Sequence, residues 1–95
     1  MVLLEITDIA MKPKQVSGLE ISVAGDETLV HDPSNGKVHV LNATAGKVLE
    51  LCDGTRTASE ISVGVANAFM VDTDRVRADI DAIIADFTKL GLLQA

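Results

Sequence analysis

The side chains in this 95-residue sequence that could do chemistry are two histidines, one cysteine and a set of carboxylates. His31 and His39 are the obvious pair for holding a metal or relaying a proton. They flank the turn-rich Asp32-Pro33-Ser34-Asn35-Gly36, and a hairpin with a loop at Pro33–Gly36 sets residue 31 opposite 38 and 29 opposite 40. That register sends the two rings to opposite faces, with no third ligand placed beside either. Cys52 falls on an apolar helical stripe, where a thiol packs as a small hydrophobe and its thiolate is disfavoured. Asp72, Asp74, Asp79, Asp81 and Asp86 read as a solvated face rather than an acid/base array, the first two favouring a helix start. Gly25, Gly36 and Gly54 are isolated turn residues, and Asp26 and Asp53 beside two of them would repel phosphate. No catalytic constellation is left, and no cofactor or metal is expected.

The elements that carry these residues follow from periodicity. Leu19-Glu20-Ile21-Ser22-Val23 alternates as a half-buried strand, Ala24–Glu27 reads as a turn, and Thr28–Asp32 is a second strand. Lys37-Val38-His39-Val40-Leu41 is the third, with Leu29, Val38 and Val40 forming one apolar face that we expect to join the core, and with His39 pointing the other way. Asn42 is a helix N-cap followed by Ala45, Val48, Leu49 and Cys52 at helical spacing, and Asp53-Gly54 ends that helix. Thr57-Ala58-Ser59-Glu60 has capping-box spacing ahead of Ile61, Val65, Ala68 and Phe69. A third helix starts at Asp72 and repeats Val76, Ile80, Ile83, Ile84, Phe87 and Leu90 before Gly91. The expected fold is α+β and winged-helix-like, a three-stranded antiparallel sheet followed by three helices. We expect residues 1–15 to be an N-terminal extension, with Val2–Met11 a short strand or frayed helix, and residues 16–95 to be the domain.

Composition excludes several functions. Hydrophobic residues make up 47% of the chain, enough for one core, while aromatics are 2% with no Trp or Tyr, so no platform exists for stacking bases or sugars. The formal charge of −6, from 14 acidic against 8 basic residues, opposes phosphate backbones and suits a cationic partner. A helix-turn-helix reader would be the third helix, and its five aspartates against Arg75, Arg77 and Lys89 would be repelled by DNA. Glu5 and Asp8 interrupt the apolar N-terminus and no basic region precedes it, so it does not read as a signal peptide. No run approaches the ~20 apolar residues of a membrane span. With one cysteine, we expect a cytoplasmic protein with no membrane partner.

Pattern alone leaves two readings of Lys37–Leu41, a plain hairpin arm or a docking edge. As an edge, its unpaired amides and carbonyls can accept an extended peptide, and the same edge could instead pair two copies into a homodimer.

The run Gly36–Ala45, continuing through Val48-Leu49-Glu50-Leu51-Cys52-Asp53-Gly54 and Thr57-Ala58-Ser59-Glu60-Ile61, resembles the PqqD family. An apolar strand, Leu-Asn, Leu-x-Asp-Gly, Thr-x-x-Glu-Ile and a long last helix ending in Gly-Leu occur in family order, over roughly residues 16 to 93. Members are peptide chaperones of pyrroloquinoline quinone synthesis, with related recognition domains in other peptide-modification pathways. The resemblance implies binding of a precursor peptide's leader as a strand beside the third strand and against the third helix, and presentation to a modifying enzyme of the radical S-adenosylmethionine type. Carried over by position, the contacts are Lys37, Val38, His39, Val40 and Leu41 on the strand and Val76, Arg77, Ile80, Ile84 and Phe87 on the helix. Leu41, Asn42, Asp53, Gly54, Thr57 and Glu60 also match the motif, with roles that read as structural. Where pyrroloquinoline quinone members have a Pro-Glu just ahead of the third strand, this chain has His31-Asp32-Pro33-Ser34-Asn35, so the resemblance carries the chaperone role rather than that one pathway.

Overall fold

The computed structural model describes residues 12–94. The strand-or-helix reading of Val2–Met11 lies outside the described residues. Three antiparallel strands, β1 (Glu20–Ala24), β2 (Glu27–Asp32) and β3 (Lys37–Leu41), form a sheet in the order β1-β2-β3, and three helices follow, α1 (Ala43–Leu51), α2 (Ala58–Phe69) and α3 (Thr73–Lys89). The class, the element order and the hairpin register are those expected, with His31 opposite Val38 and Leu29 opposite Val40.

The covered face of the sheet is the opposite of the one expected. Val38 and Val40 are 60% and 59% exposed, whereas Val30 and Leu41, one residue out of step with them, lie in the core with Thr28. Counting apolar residues favoured the wrong face; backbone approach explains the outcome. Gly46 of α1 sits directly on Thr28, so close that a Cβ at 46 would fall inside van der Waals contact of the Thr28 Oγ1. Two small residues let the helix settle on the face bearing Val30 and Leu41. We predict that Gly46→Ala, although α1 gains helix propensity, lowers stability by about 1–3 kcal/mol in chemical denaturation. Thr28→Ser in the same chain should recover part of the loss, since the threonine methyl no longer limits how the side chain turns.

β1 also differs from expectation. It begins at Glu20 and all five residues are exposed, because no helix Cα comes within 8 Å of it and the helical layer stops at β2. A strand's own alternation cannot show how far the opposite layer extends.

The helix ends match their capping signals. Ala45 N–H donates to Asn42 Oδ1 at 2.8 Å, and Thr57 and Glu60 complete a reciprocal capping box. The core joins Val30 to Leu49 and Val48 of α1, Ile61 and Val65 of α2, Ile80 and Phe87 of α3, and Leu92 beyond it. Each fully buried aliphatic or aromatic side chain contributes about 1.5–3 kcal/mol of transfer free energy. Residues just ahead of the expected boundary at 15/16 are bound into the fold. Gln15 N–H donates to Cys52 O at 2.9 Å, Val16 N–H to Leu92 O at 3.0 Å and Gln94 N–H to Lys14 O at 2.8 Å. This segment therefore clips the end of α1 to the chain that follows α3.

Three turn and cap carboxylates are held below the usual carboxylate range. The Ser34 hydroxyl and then its amide hold Asp32 down, those of Thr55 do the same for Asp53, and the Thr57 amide and hydroxyl act on Glu60. A carboxyl whose folded pKa is depressed stabilises the fold above its unfolded pKa and loses that contribution as pH falls through the folded pKa. Melting temperature should therefore hold near neutrality and decline below about pH 4, a decline made shallower by the double variant Asp53→Asn, Glu60→Gln.

Candidate functional site

β3 is the last strand of the sheet, so among the described residues one of its sides has no strand partner. In an antiparallel ladder every second residue turns its N–H and C=O away from the neighbouring strand, leaving a row of donors and acceptors along the open side. Its side chains divide by face. Lys37, Val38 and Val40 are exposed, His39 is half-buried and Leu41 is core. α3 packs on α2 and α1, and none of its Cα atoms lies within 8 Å of one in β3. The edge is therefore not closed off by the last helix.

The α3 residues expected at the site are not equivalent. Ile80 and Phe87 are fully packed in the core and present no surface to a ligand; they fix the helix in place. Val76 and Ile84 are half-buried against the core, as is Ile83, which site reasoning passed over although it shares their stripe. Arg77 is exposed and already engaged: Nη1 donates to Ser59 Oγ of α2 at 2.6 Å and Nε to Asp81 Oδ1 at 3.2 Å. The arginine thus braces α3 against α2, and Val76 and Ile84 are the expected helix residues that keep apolar surface available.

The two histidines lie on opposite faces, as the register requires. His31 Nδ1 is 2.8 Å from Glu20 Oε1 across β1 and β2. His39 has a buried Nε2 that finds no hydrogen-bond partner among the described residues, an arrangement that costs about 1–3 kcal/mol unless a partner arrives. Among the described residues no three His, Cys, Asp or Glu side chains cluster as metal ligands. Burial, with the Asp53 charge beside it, pushes the Cys52 thiol up to about 11, so at neutral pH the side chain is a packed thiol. It should stay inert to a thiol-reactive dye until the chain is unfolded. Among the described residues no helix is long and apolar enough to cross a membrane.

Sequence reasoning missed one surface altogether, an apolar groove beneath β1. It holds Ile21 and Val23, which read as ordinary inner residues of a half-buried strand, and only the extent of the helical layer reveals that they overhang.

Three solved structures share this fold. The chain superposes on TbiB1 in complex with the TbiA(beta) leader peptide with a TM-score of 0.73 and 18% identity, covering 86% of this chain and 95% of that one. A lasso peptide synthetase B1 complexed with its leader peptide gives 0.74 and 13%, covering 90% and 100%. The PqqD portion of Methylobacterium extorquens PqqCD, a stand-alone recognition element for ribosomally synthesized and post-translationally modified peptides, gives 0.70 and 22%, covering 87% and 88%. Among curated proteins no sequence matches. Residues 27–93, which run from the start of β2 through the core residues beyond α3, match the family model for coenzyme PQQ synthesis protein D, and the chain therefore belongs to the PqqD family.

Proposed function

We propose that this chain is a non-catalytic peptide chaperone, which captures the leader segment of a ribosomally made precursor peptide by strand addition to β3 and presents it to a modifying enzyme. The observation that carries the reading is the open side of β3, which no other strand or the last helix closes off among the described residues. Family membership supports it, as do leader peptides in two complexes of the same fold. Backbone hydrogen bonds to β3 set the geometry and direction of the leader. Val38 and Val40 flank the added strand on the exposed face, while His39 on the inner face offers its unpartnered Nε2. Val76 and Ile84 supply the apolar wall on α3. Ordering a flexible segment costs about 2–5 kcal/mol, so affinity depends on a few anchoring side chains. The receiving enzyme is of the radical S-adenosylmethionine type, and the complex works in the cytoplasm.

Titrating the isotope-labelled chain with a synthetic leader from a precursor encoded nearby tests the reading. Amide shifts should run along Lys37–Leu41 and across Val76–Ile84, with affinity changing little between low and moderate salt. Shifts confined to other surfaces would remove β3 as the docking edge. Steep loss with salt, together with binding to duplex DNA, would restore the nucleic-acid reading that the five aspartates of α3 oppose.

A further inference from the structure

β1 is the second free edge of the sheet among the described residues, and it lacks most of the devices that usually blunt an edge. Its five residues, Glu20-Ile21-Ser22-Val23-Ala24, contain no proline or lysine, pair with β2 without a bulge and are all exposed. The one charged side chain, Glu20, is turned across the strands to His31. Beneath this edge lies an open groove of about 320 Å³, lined by Ile21, Val23, Thr28, Gly46, Leu49 and Phe69. Inward-facing side chains of a strand added to β1 would fall beside Ile21 and Val23, over this groove. At its rim Lys47 is neutralised by Glu50 at 2.8 Å, whereas Asp26 has no ion-pair partner among the described residues.

We propose that β1 is a second strand-addition edge, which takes an extended segment of a partner protein in which apolar residues alternate with lysine or arginine. The apolar side chains fill the groove, and the basic ones, alternating to the outer face of the sheet that also carries Glu20, meet a chain of net charge −6. Charge is what favours a basic partner over a second copy, since pairing two β1 edges would bring together two chains that each carry −6. Given the function proposed above, on which this assignment of the partner rests, the segment belongs to the enzyme that receives the leader. β2 separates β1 from β3, so the two edges lie about 10 Å apart and can be filled together. A chaperone with both edges occupied would hold substrate and enzyme on one sheet.

The probe is the capped peptide Lys-Val-Lys-Val-Lys, titrated into the full-length labelled chain without leader, beside a control with glutamate in place of lysine. The expected result is shifts at Ile21, Val23, Gly46 and Leu49, with a Kd at least about tenfold weaker for the glutamate peptide. Val23→Lys, at a side chain 73% exposed, should weaken the lysine peptide by about the same factor while the melting temperature holds. Shifts at Lys37–Leu41 instead, no shifts at millimolar peptide, or a dimer that Val23→Lys dissolves would each overturn the proposal. Failure of the leader to bind β3 would show in the separate leader titration and leave this result unchanged.

Discussion

Proline placed in β3 is expected to abolish leader binding at positions where the domain still folds. Val38 and Val40 have the same parity along the strand and His39 the opposite, so the amides of one set pair with β2 and those of the other face the open side. Proline in the set facing β2 breaks the ladder and lowers the melting temperature sharply. In the outward set it removes only a free donor, and its ring blocks the approach of an added strand. Each backbone hydrogen bond lost to the leader is worth about 0.5–1.5 kcal/mol. Two outward prolines, with the steric block, should therefore weaken binding by a hundredfold or more on the usual scale of about 1.4 kcal/mol per decade. Val38→Pro, Val40→Pro and His39→Pro are compared by melting and by leader titration. Val38→Thr and Val40→Thr, which keep the β-branched shape at exposed positions, separate side-chain contacts from backbone contacts. If a folded proline variant in the outward set retains full affinity, β3 does not receive the leader.

This experiment depends on a register that was legible in the sequence and a face that was not. Pro33–Gly36 between two alternating runs fixed the pairing of His31 with Val38, because loop length sets register in a hairpin. The capping signals at Asn42 and Thr57 and the acidic start at Asp72 and Asp74 placed all three helices for a similarly local reason: each acts within one turn. The covered face depended instead on α1 approaching β2 where Gly46 meets Thr28, residues 18 positions apart that carry no apolar signal. The uncovered state of β1 depended on the width of the helical layer, which no single strand encodes. The site divides along the same line. β3 as an edge followed from order and family resemblance, whereas the separation of Ile80 and Phe87 from Val76 and Ile84 needed the packed helices.

That separation gives the other large effect, a contrast between Ile80→Asp and Ile84→Asp one turn apart on α3. Ile80 is wholly enclosed, and a carboxylate there loses its hydration without a partner, which should cost more than about 4 kcal/mol and leave a domain of this size largely unfolded. Ile84 packs only partly against the core and keeps surface toward solvent, so an aspartate there can stay hydrated. Its cost should be about 1–2 kcal/mol, and the domain should still melt cooperatively. The charge would then stand on the apolar wall assigned to the leader and weaken capture by about tenfold or more. Arg77→Ala provides the comparison on the same helix. Its guanidinium is engaged by Ser59 and Asp81, so its loss should trim stability slightly and leave leader affinity near that of the unchanged chain. Denaturation midpoints and leader affinities measured together decide the matter. Ile84→Asp binding the leader as well as the parent chain would clear α3 of any part in the site. An Ile84→Asp chain as unstable as Ile80→Asp would make Ile84 a core residue, and the apolar wall would then fall to Val76 and Ile83, the half-buried members of the same stripe.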